Sequence, residues 1–446
     1  MSKHFLPALL LCLYLASTLQ AADYVAPAPD TRFKVDLLVV VAHPDDETIL
    51  GSYLARAIFE EKKRVAVVFG TRGNGGGNAE GQEQAAALGA IREIEARKAL
   101  AHFGVLDVWF LNGLDTPGQD VLDSLETWNH GDSLGRLVRL VRLTRPSVMV
   151  TWLPDWVAGE NHGDHQAAGV IATEAFDLAA DPTAFGEQLA TPRNREDISN
   201  LTEGLRPWQP EKLYFVSDAA HTDFMKGKGP AYTPTEKQAK LAAEECSYHL
   251  TQGDTGQEAR AALAKGDITF FKQPVLFVFG KSHVRSGATD DLFAGVEANG
   301  IPFEAAPGYH PQPASAPRIE LGGSWYFYRQ FWQAHGIDHL AKLLTPEIFA
   351  KYSSPFIIPL VIENPGSKPI TVNASVELPQ GWSFRRRLPP DILVGAHQAA
   401  SVPSEVKTAG EGVSGWQTIS IDAKADGQKL NQIQIRAQLN AGAMPQ

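Results

Sequence analysis

Five consecutive apolar residues, Leu37-Leu38-Val39-Val40-Val41, run directly into Ala42-His43-Pro44-Asp45-Asp46-Glu47. An unbroken apolar run of that length is the pattern of a strand covered on both faces. Beyond the turn, Ile49, Leu50, Tyr53, Leu54, Ala57 and Ile58 recur at helical spacing. A doubly buried strand that passes straight into an amphipathic helix constrains the chain to an α/β sheet with helices packed over it. It also puts a histidine and two adjacent carboxylates at the carboxyl edge of the sheet, where open α/β sheets hold their ligands. Pro44 keeps His43 extended and fixes the turn. In such a turn His43 and Asp46 can face one point while Asp45 faces another, which suits two metal ligands and one free base.

A second apolar strand, Val148-Met149-Val150-Thr151-Trp152, leads through a loop to Asn161-His162-Gly163-Asp164-His165 and then to a helix bearing Ala167, Val170, Ile171 and Ala175. His162 and His165 are three apart, so one helical turn brings both imidazoles to the same side. Two histidines and a carboxylate leave coordination positions open, as a catalytic metal needs if it is to hold water. Capping alone would account for Asp46 and is the better reading of Glu47, but it accounts for neither His43 nor Pro44. A third strand, Val65-Ala66-Val67-Val68-Phe69, precedes the glycine-rich loop Gly70-Thr71-Arg72-Gly73-Asn74-Gly75-Gly76-Gly77. Polar residues 78–84 then separate those glycines from the next helix, which argues against nucleotide binding. Arg72 and Asp115 read as solvated loop residues. His335 and His339 read as surface.

In this order and on these junctions, His-Pro-Asp-Asp-Glu and His-Gly-Asp-His resemble the PIG-L/LmbE family of metal-dependent N-acetylglucosaminyl deacetylases. Phe69-Gly70-Thr71-Arg72-Gly73-Asn74 is similar to the family's second strand and Thr-x-Gly loop. Arg92-x-x-Glu95 with Ala99, Phe103, Gly104 and Val105 is similar to its Arg-x-x-Glu helix. His249-Leu250-Thr251-Gln252 is similar to a His-x-Ser-Gln element, so the resemblance covers roughly residues 36 to 300. It implies that His43, Asp46 and His165 bind a divalent metal, usually zinc. It further implies that Asp45 is the general base, that His162 assists the tetrahedral intermediate or the leaving amine, and that Asp164 orients a neighbouring imidazole. Asn74 departs from a glutamate common in the family's second loop. The chemistry agrees with those roles: amide hydrolysis needs an activated water, a stabilised oxyanion and a proton for the departing nitrogen.

With 446 residues the chain has room for two or three domains. A net charge of -11 and a pI near 5.6 argue against nucleic-acid or anionic-membrane partners. Lys3 and His4, an apolar run from Phe5 to Leu15, and then Ala16 to Ala21 read as a signal peptide over residues 1–22. That run is too short to span a bilayer comfortably, and no other stretch qualifies. Its removal leaves Cys246 alone, with no intrachain disulfide possible. Strands and helices alternate from residue 33, with strands expected at 64–69, 108–111, 147–152 and 213–217 and helices near 88–103 and 134–143. That alternation implies a parallel, Rossmann-like sheet. Polar residues 181–209 read as a surface insertion, and Thr233-x-x-Glu236 as a capping box. From residue 355 the pattern becomes short strands, at 356–362, 370–378, 416–423 and 430–439, separated by Asn364-Pro365-Gly366 and Asp426-Gly427 turns. Leu378-Pro379-Gln380-Gly381-Trp382 resembles an element of immunoglobulin-like modules attached to carbohydrate-active enzymes.

The expectation is an α/β fold in which residues 33–350 form a deacetylase domain with a helical extension, followed at 354–446 by a small all-β sandwich. The sandwich has no His/Asp cluster, so it is expected to be separable from catalysis, with Trp382 and Trp416 in its core. The expected activity is metal-dependent N-deacetylation of an amino sugar in a glycan or glycoconjugate, outside the cytoplasm, in the periplasm or secreted. Export favours such a substrate because it separates the enzyme from cytosolic thiol and lipid precursors. Two alternatives share some of these features. A non-heme iron oxygenase also uses two histidines and a carboxylate, though usually as His-x-Asp on an all-β scaffold. A non-catalytic carbohydrate-binding protein has no need for intact His43, Asp45, Asp46 and His165.

Overall fold

Six strands make the first sheet: β1 (Leu37–Val41), β2 (Val65–Thr71), β3 (Val108–Gly113), β4 (Val148–Trp152), β5 (Lys212–Val216) and β6 (Val278–Ser282). In this computed structural model, residues 29–157, 162–189, 204–219, 221–253, 255–297, 300–310 and 314–440 are described. The expected signal peptide lies outside them, as do Asn161 and residues 190–203 of the polar stretch 181–209. The strand order is β3-β2-β1-β4-β5-β6. The first five strands run parallel and β6 is antiparallel to β5. β1, β2, β4 and β5 are buried along their whole length, which is why they read as continuous apolar runs. The antiparallel edge strand was not legible, because Val278-Phe279-Gly280-Lys281-Ser282 has no sustained alternation.

Strand order descends 3-2-1 and then ascends 4-5, so the topological switch point lies between β1 and β4. The crevice beyond the carboxyl ends of those two strands is where such sheets bind ligands. Helices α1 (Gly51–Phe59), α2 (Ala85–His102), α3 (Val121–Thr127), α4 (His130–Thr144) and α5 (Gly163–Leu178) fill the connections. Gly169 lets α5 approach β4 closely, since a Cβ there would stand 2.3 Å from the Trp152 carbonyl oxygen. α6 (Glu236–Cys246) and α7 (Thr255–Lys265) follow the sheet. The capping box of α6 is formed by Thr235 and Gln238, two residues later than expected. Pro234 biases Thr233 to extended backbone, so the helix begins after Thr235.

The second region is a two-sheet sandwich with its own apolar core. Its strands are β7 (Arg318–Leu321), β8 (Glu347–Lys351), β9 (Pro355–Asn364), β10 (Ile370–Glu377), β11 (Ser383–Arg386), β12 (Ile392–Val394), β13 (Gln398–Lys407), β14 (Trp416–Ala425) and β15 (Ile433–Asn440). One sheet runs β8-β15-β14-β10-β12 and the other β11-β13-β9-β7. β7 and β8 precede residue 354, and β8 joins β15 in parallel. Between them, α8 (Ser324–His335) turns back and contributes Tyr328 and Phe331 to the α/β core. The chain therefore crosses from sandwich to α/β domain and back before residue 354. Strands of four and five residues beside a Pro-rich segment are too short to announce this in sequence.

The contact between the two regions is polar and specific. Glu347 is fully buried; one carboxylate oxygen lies 2.8 Å from His221 Nε2 in a hydrogen bond, and the other forms an ion pair with Arg436 at 2.6 Å. The Phe349 amide donates to Gln119 (3.0 Å), and Ser324 donates to Asp120 (2.7 Å). Trp156 packs against both cores and its ring meets that of Trp325 at 4.5 Å. Trp382 is buried in the sandwich core as expected. Trp416 instead lies at this contact, half-buried, with the Arg436 guanidinium 4.4 Å over its ring and His221 edge-on at 5.5 Å. His335 is not free surface either: its Nδ1 lies 2.7 Å from Asp177, a buried carboxylate.

Candidate active site

Ala42-His43-Pro44-Asp45-Asp46-Glu47 leaves β1 as a tight turn into a short 3-10 helix, Asp46–Leu50. The two oxygens of Asp46 have different duties. Oδ2 accepts three hydrogen bonds, from the Ala42 and His43 amides and from Trp152 Nε1, each 2.8 Å. Oδ1 is left facing His165 Nε2 at 3.3 Å and His43 Nδ1 at 3.7 Å. Asp46 thus ties the turn back to β1 and β4 with one oxygen and presents the other between two imidazoles. His165 stacks flat on Trp152, 4.1 Å apart and 3° from parallel, and its Nδ1 stands 3.6 Å from Asp218. Burial opposes a charge on His165, yet Asp46 and Asp218 hold its pKa up to about 10. Burial likewise opposes a charge on Asp46, but His165 and His43 keep its carboxyl well below the usual range. A buried carboxylate flanked by two imidazoles is a donor set suited to a divalent metal of the zinc type.

The second motif closes the other side. His162 is the N-cap of α5, and its Nδ1 accepts the Asp164 amide at 3.3 Å. Nε2 therefore remains as the outward nitrogen, and a neutral ring carries its proton there. Burial, reinforced by His165 and His43, pushes the His162 pKa well below its ordinary value. The ring nitrogens of His43, His162 and His165 lie within 4.8 Å of one another. Asp164 is fully buried rather than an exposed helix-start residue. Its Oδ2 meets His43 Nε2 at 3.3 Å and accepts the Thr116 amide at 2.8 Å. The imidazole beside Asp164 is thus that of His43. Asp115 is also drawn in, 3.9 Å from His43 Nε2 and accepting the Gly75 amide, whereas Arg72 is half-exposed and paired with Glu93.

Asp45 faces a different way from its neighbour Asp46. Its Oδ2 accepts from Thr255 Oγ1 at 2.9 Å, and its amide donates to Glu47 Oε2 at 3.0 Å. Burial, with Asp46 and Glu47 adding repulsion, raises its pKa to about 7. Glu47 is fully buried: its Oε1 accepts from His249 Nε2 at 2.9 Å, with Glu245 also nearby. The reading of Glu47 as a simple capping residue missed this partner. Arg92 and Glu95 hold the loop that carries His249. Arg92 donates to the Gly73, Gly77 and Thr251 carbonyls, while Glu95 accepts from the Thr251 amide and hydroxyl.

The sequence motifs therefore gave the residues that converge, and missed those that hold them: Trp152, Thr116, Asp218 and Thr255. Trp152 was visible only as the end of a strand. The other three have no local signature.

A doubly wound sheet whose switch-point crevice holds three imidazoles and several carboxylates has the donor set of an α/β metal centre. The PIG-L family profile, described as GlcNAc-PI de-N-acetylase, matches residues 38–176. A 1D-myo-inositol 2-acetamido-2-deoxy-alpha-D-glucopyranoside deacetylase of Geodermatophilus obscurus is 35% identical over 297 residues, covering 58% of this chain and 97% of the relative. Its namesake from Streptomyces avermitilis is 27% identical over 321 residues, covering 67% of this chain and 86% of the relative. A solved N,N'-diacetylchitobiose deacetylase from Pyrococcus horikoshii shares 18% identity, covering 62% of this chain and 94% of that one, with a TM-score of 0.41. The chain belongs to the PIG-L family and is a hydrolytic N-deacetylase. The oxygenase and the non-catalytic alternatives fall away with that membership.

Proposed function

We propose that this chain is an exported, metal-dependent deacetylase that removes the acetyl group from an N-acetylated amino sugar in a glycan or glycoconjugate. The observation that carries the metal reading is Asp46: three donors occupy Oδ2, and Oδ1 is turned between His43 and His165. These three residues would hold a divalent cation, zinc by donor type. When bound, the cation lowers the pKa of water toward ~7 and polarises the amide carbonyl. The chain's own groups do the rest. Asp45, pushed to about 7 by burial and its acidic neighbours, accepts the proton of the attacking water. His162, neutral and protonated on Nε2, stabilises the oxyanion by donating a hydrogen bond, and the proton that Asp45 took from water passes on to the departing amine. Asp164 fixes the ring of His43.

The amino-sugar substrate is supported by the family and by what the two relatives are named for. Export is supported by the apolar N-terminal pattern alone. Among the described residues no helix is long and apolar enough to cross a membrane. The test measures metal per chain and acetate released from a panel of N-acetylated sugars and oligosaccharides. About one divalent ion per chain is expected, with acetate released from at least one member of the panel and none after the ion is removed. His165→Ala should lose both ion and activity. Full occupancy in that variant would remove His165 from the ligand set.

A further inference from the structure

Asp45 has φ +136° and ψ −17°, a backbone conformation that residues with a side chain rarely adopt. The turn's own bonds, from the Asp46 amide to the His43 carbonyl and from the Thr48 amide to the Asp45 carbonyl, leave the Asp45 side chain without a capping hydrogen bond to the helix it precedes. Further bonds reach it from distant parts of the chain. Gln252 donates to the Pro44 carbonyl, just before Asp45. Glu47 takes the Asp45 amide on one oxygen and His249 on the other, so a fully buried ion pair sits directly behind the turn. Thr255 Oγ1 donates to Asp45 Oδ2. Among the described residues nothing donates a hydrogen bond to Oδ1 of Asp45. One carboxylate oxygen is thus tethered and the other left open, as a group that must receive a proton requires.

We infer that Thr255 is a positioning residue for deacetylation, aiming Asp45 from a brace made of Glu47, His249 and Gln252. This rests on Asp45 being the base. The brace reaches the turn across more than 200 residues of sequence. It is anchored in turn by Arg92 and Glu95 of α2 through Thr251. A carboxylate on a flexible bond samples several orientations, and a hydroxyl bonded to one oxygen selects the productive one. The hydroxyl is engaged by the Asp45 carboxylate, so its effect falls on turnover rather than on binding.

The test compares Thr255→Val, Thr255→Ser and Asp45→Asn in the full chain, with free N-acetylglucosamine at high protein concentration and N,N'-diacetylchitobiose as probes. Thr255→Val should lower kcat about 10–100-fold, the usual effect of removing an orienting partner. KM, bound metal and melting temperature should stay near wild type. Thr255→Ser keeps the hydroxyl and should restore kcat to within about threefold, and in an Asp45→Asn background Thr255→Val should add less than about twofold. Crystals of the metal-free Val variant should show Asp45 in a different rotamer. Should the Val variant fail to fold, Thr255→Ala serves with the same expectations. A kcat within about twofold of wild type for Thr255→Val, or a Ser variant as slow as the Val one, overturns the inference. An active Asp45→Asn enzyme, by contrast, would overturn the base assignment itself.

Discussion

The α/β domain and the sandwich are both built on apolar cores, but they treat charge differently. The α/β domain buries Glu47, Arg92, Glu95, Asp164, His165, Glu245 and His249 around the ends of β1 and β4. All but Glu245, whose ion pair is with nearby His249, are tied to another element, and burying such groups is costly unless they are paired. In the sandwich strands the fully buried charged side chain is Glu347, and it points to the α/β domain, where His221 meets it. Fold stability alone explains the sandwich core, whereas the charge clustered at the ends of β1 and β4 surrounds the candidate site. The contrast also shows what joins them. The loop with His221 carries Asp218, which faces His165, so the sandwich braces a segment that lines the site.

The largest expected effect breaks the separation of the two regions. The sequence alone suggested that a chain ending near Tyr352 would keep turnover on small sugars. In the structure such a cut strips β7 and β8 of their sheet partners and leaves Glu347 without Arg436. Unpaired strand edges promote aggregation. The truncated chain should therefore be insoluble or largely inactive. A soluble truncation with full small-sugar activity, measured beside the intact chain, would restore the modular reading.

Next comes the charge at the site. Asp45→Asn should keep its metal and lose on the order of 10²–10⁴ in rate. The base works unprotonated, so wild-type activity should fall as pH drops through the Asp45 pKa. Burial and its acidic neighbours place that value at about 7, and a bound cation beside it would move it lower. A pH–rate profile on both proteins checks this: the acidic limb should be absent from the Asn variant. Parallel loss of metal would make Asp45 a ligand instead.

The smallest effect sharpens the boundary between the regions. Glu347→Gln removes the charge that His221 and Arg436 share, and should lower stability by about 1–3 kcal/mol. Bound metal should be unchanged, since Glu347 touches no site residue directly. Thermal melting and metal analysis on one sample would decide it. A variant as stable as wild type would mean the contact is incidental.

How much of this was legible in sequence depends on how local each feature is. β1 and β4 could be read because strands buried on both faces leave continuous apolar runs, and the turns after them carry His43, Asp45, Asp46, His162, Asp164 and His165 within a few residues. The capping box was displaced by two residues, and β6, β7 and β8 went unseen, because short edge strands lack a period long enough to detect. Trp416 was assigned to a core by its type, yet Arg436 and His221 cover it at the contact between the two regions.

The amino-acid sequence by itself determined the strand-to-helix junctions and the residue types placed on them, since both follow from periodicity and from Pro44 within one turn of chain. Only the tertiary structure decided which oxygen of Asp46 is free, that Glu47 pairs with His249, that Thr255 holds Asp45, and that Glu347 joins the two regions. Those outcomes depend on side chains 100 to 210 positions apart meeting in a dry interior. There a hydrogen bond is selected by packing geometry, and no local pattern records it.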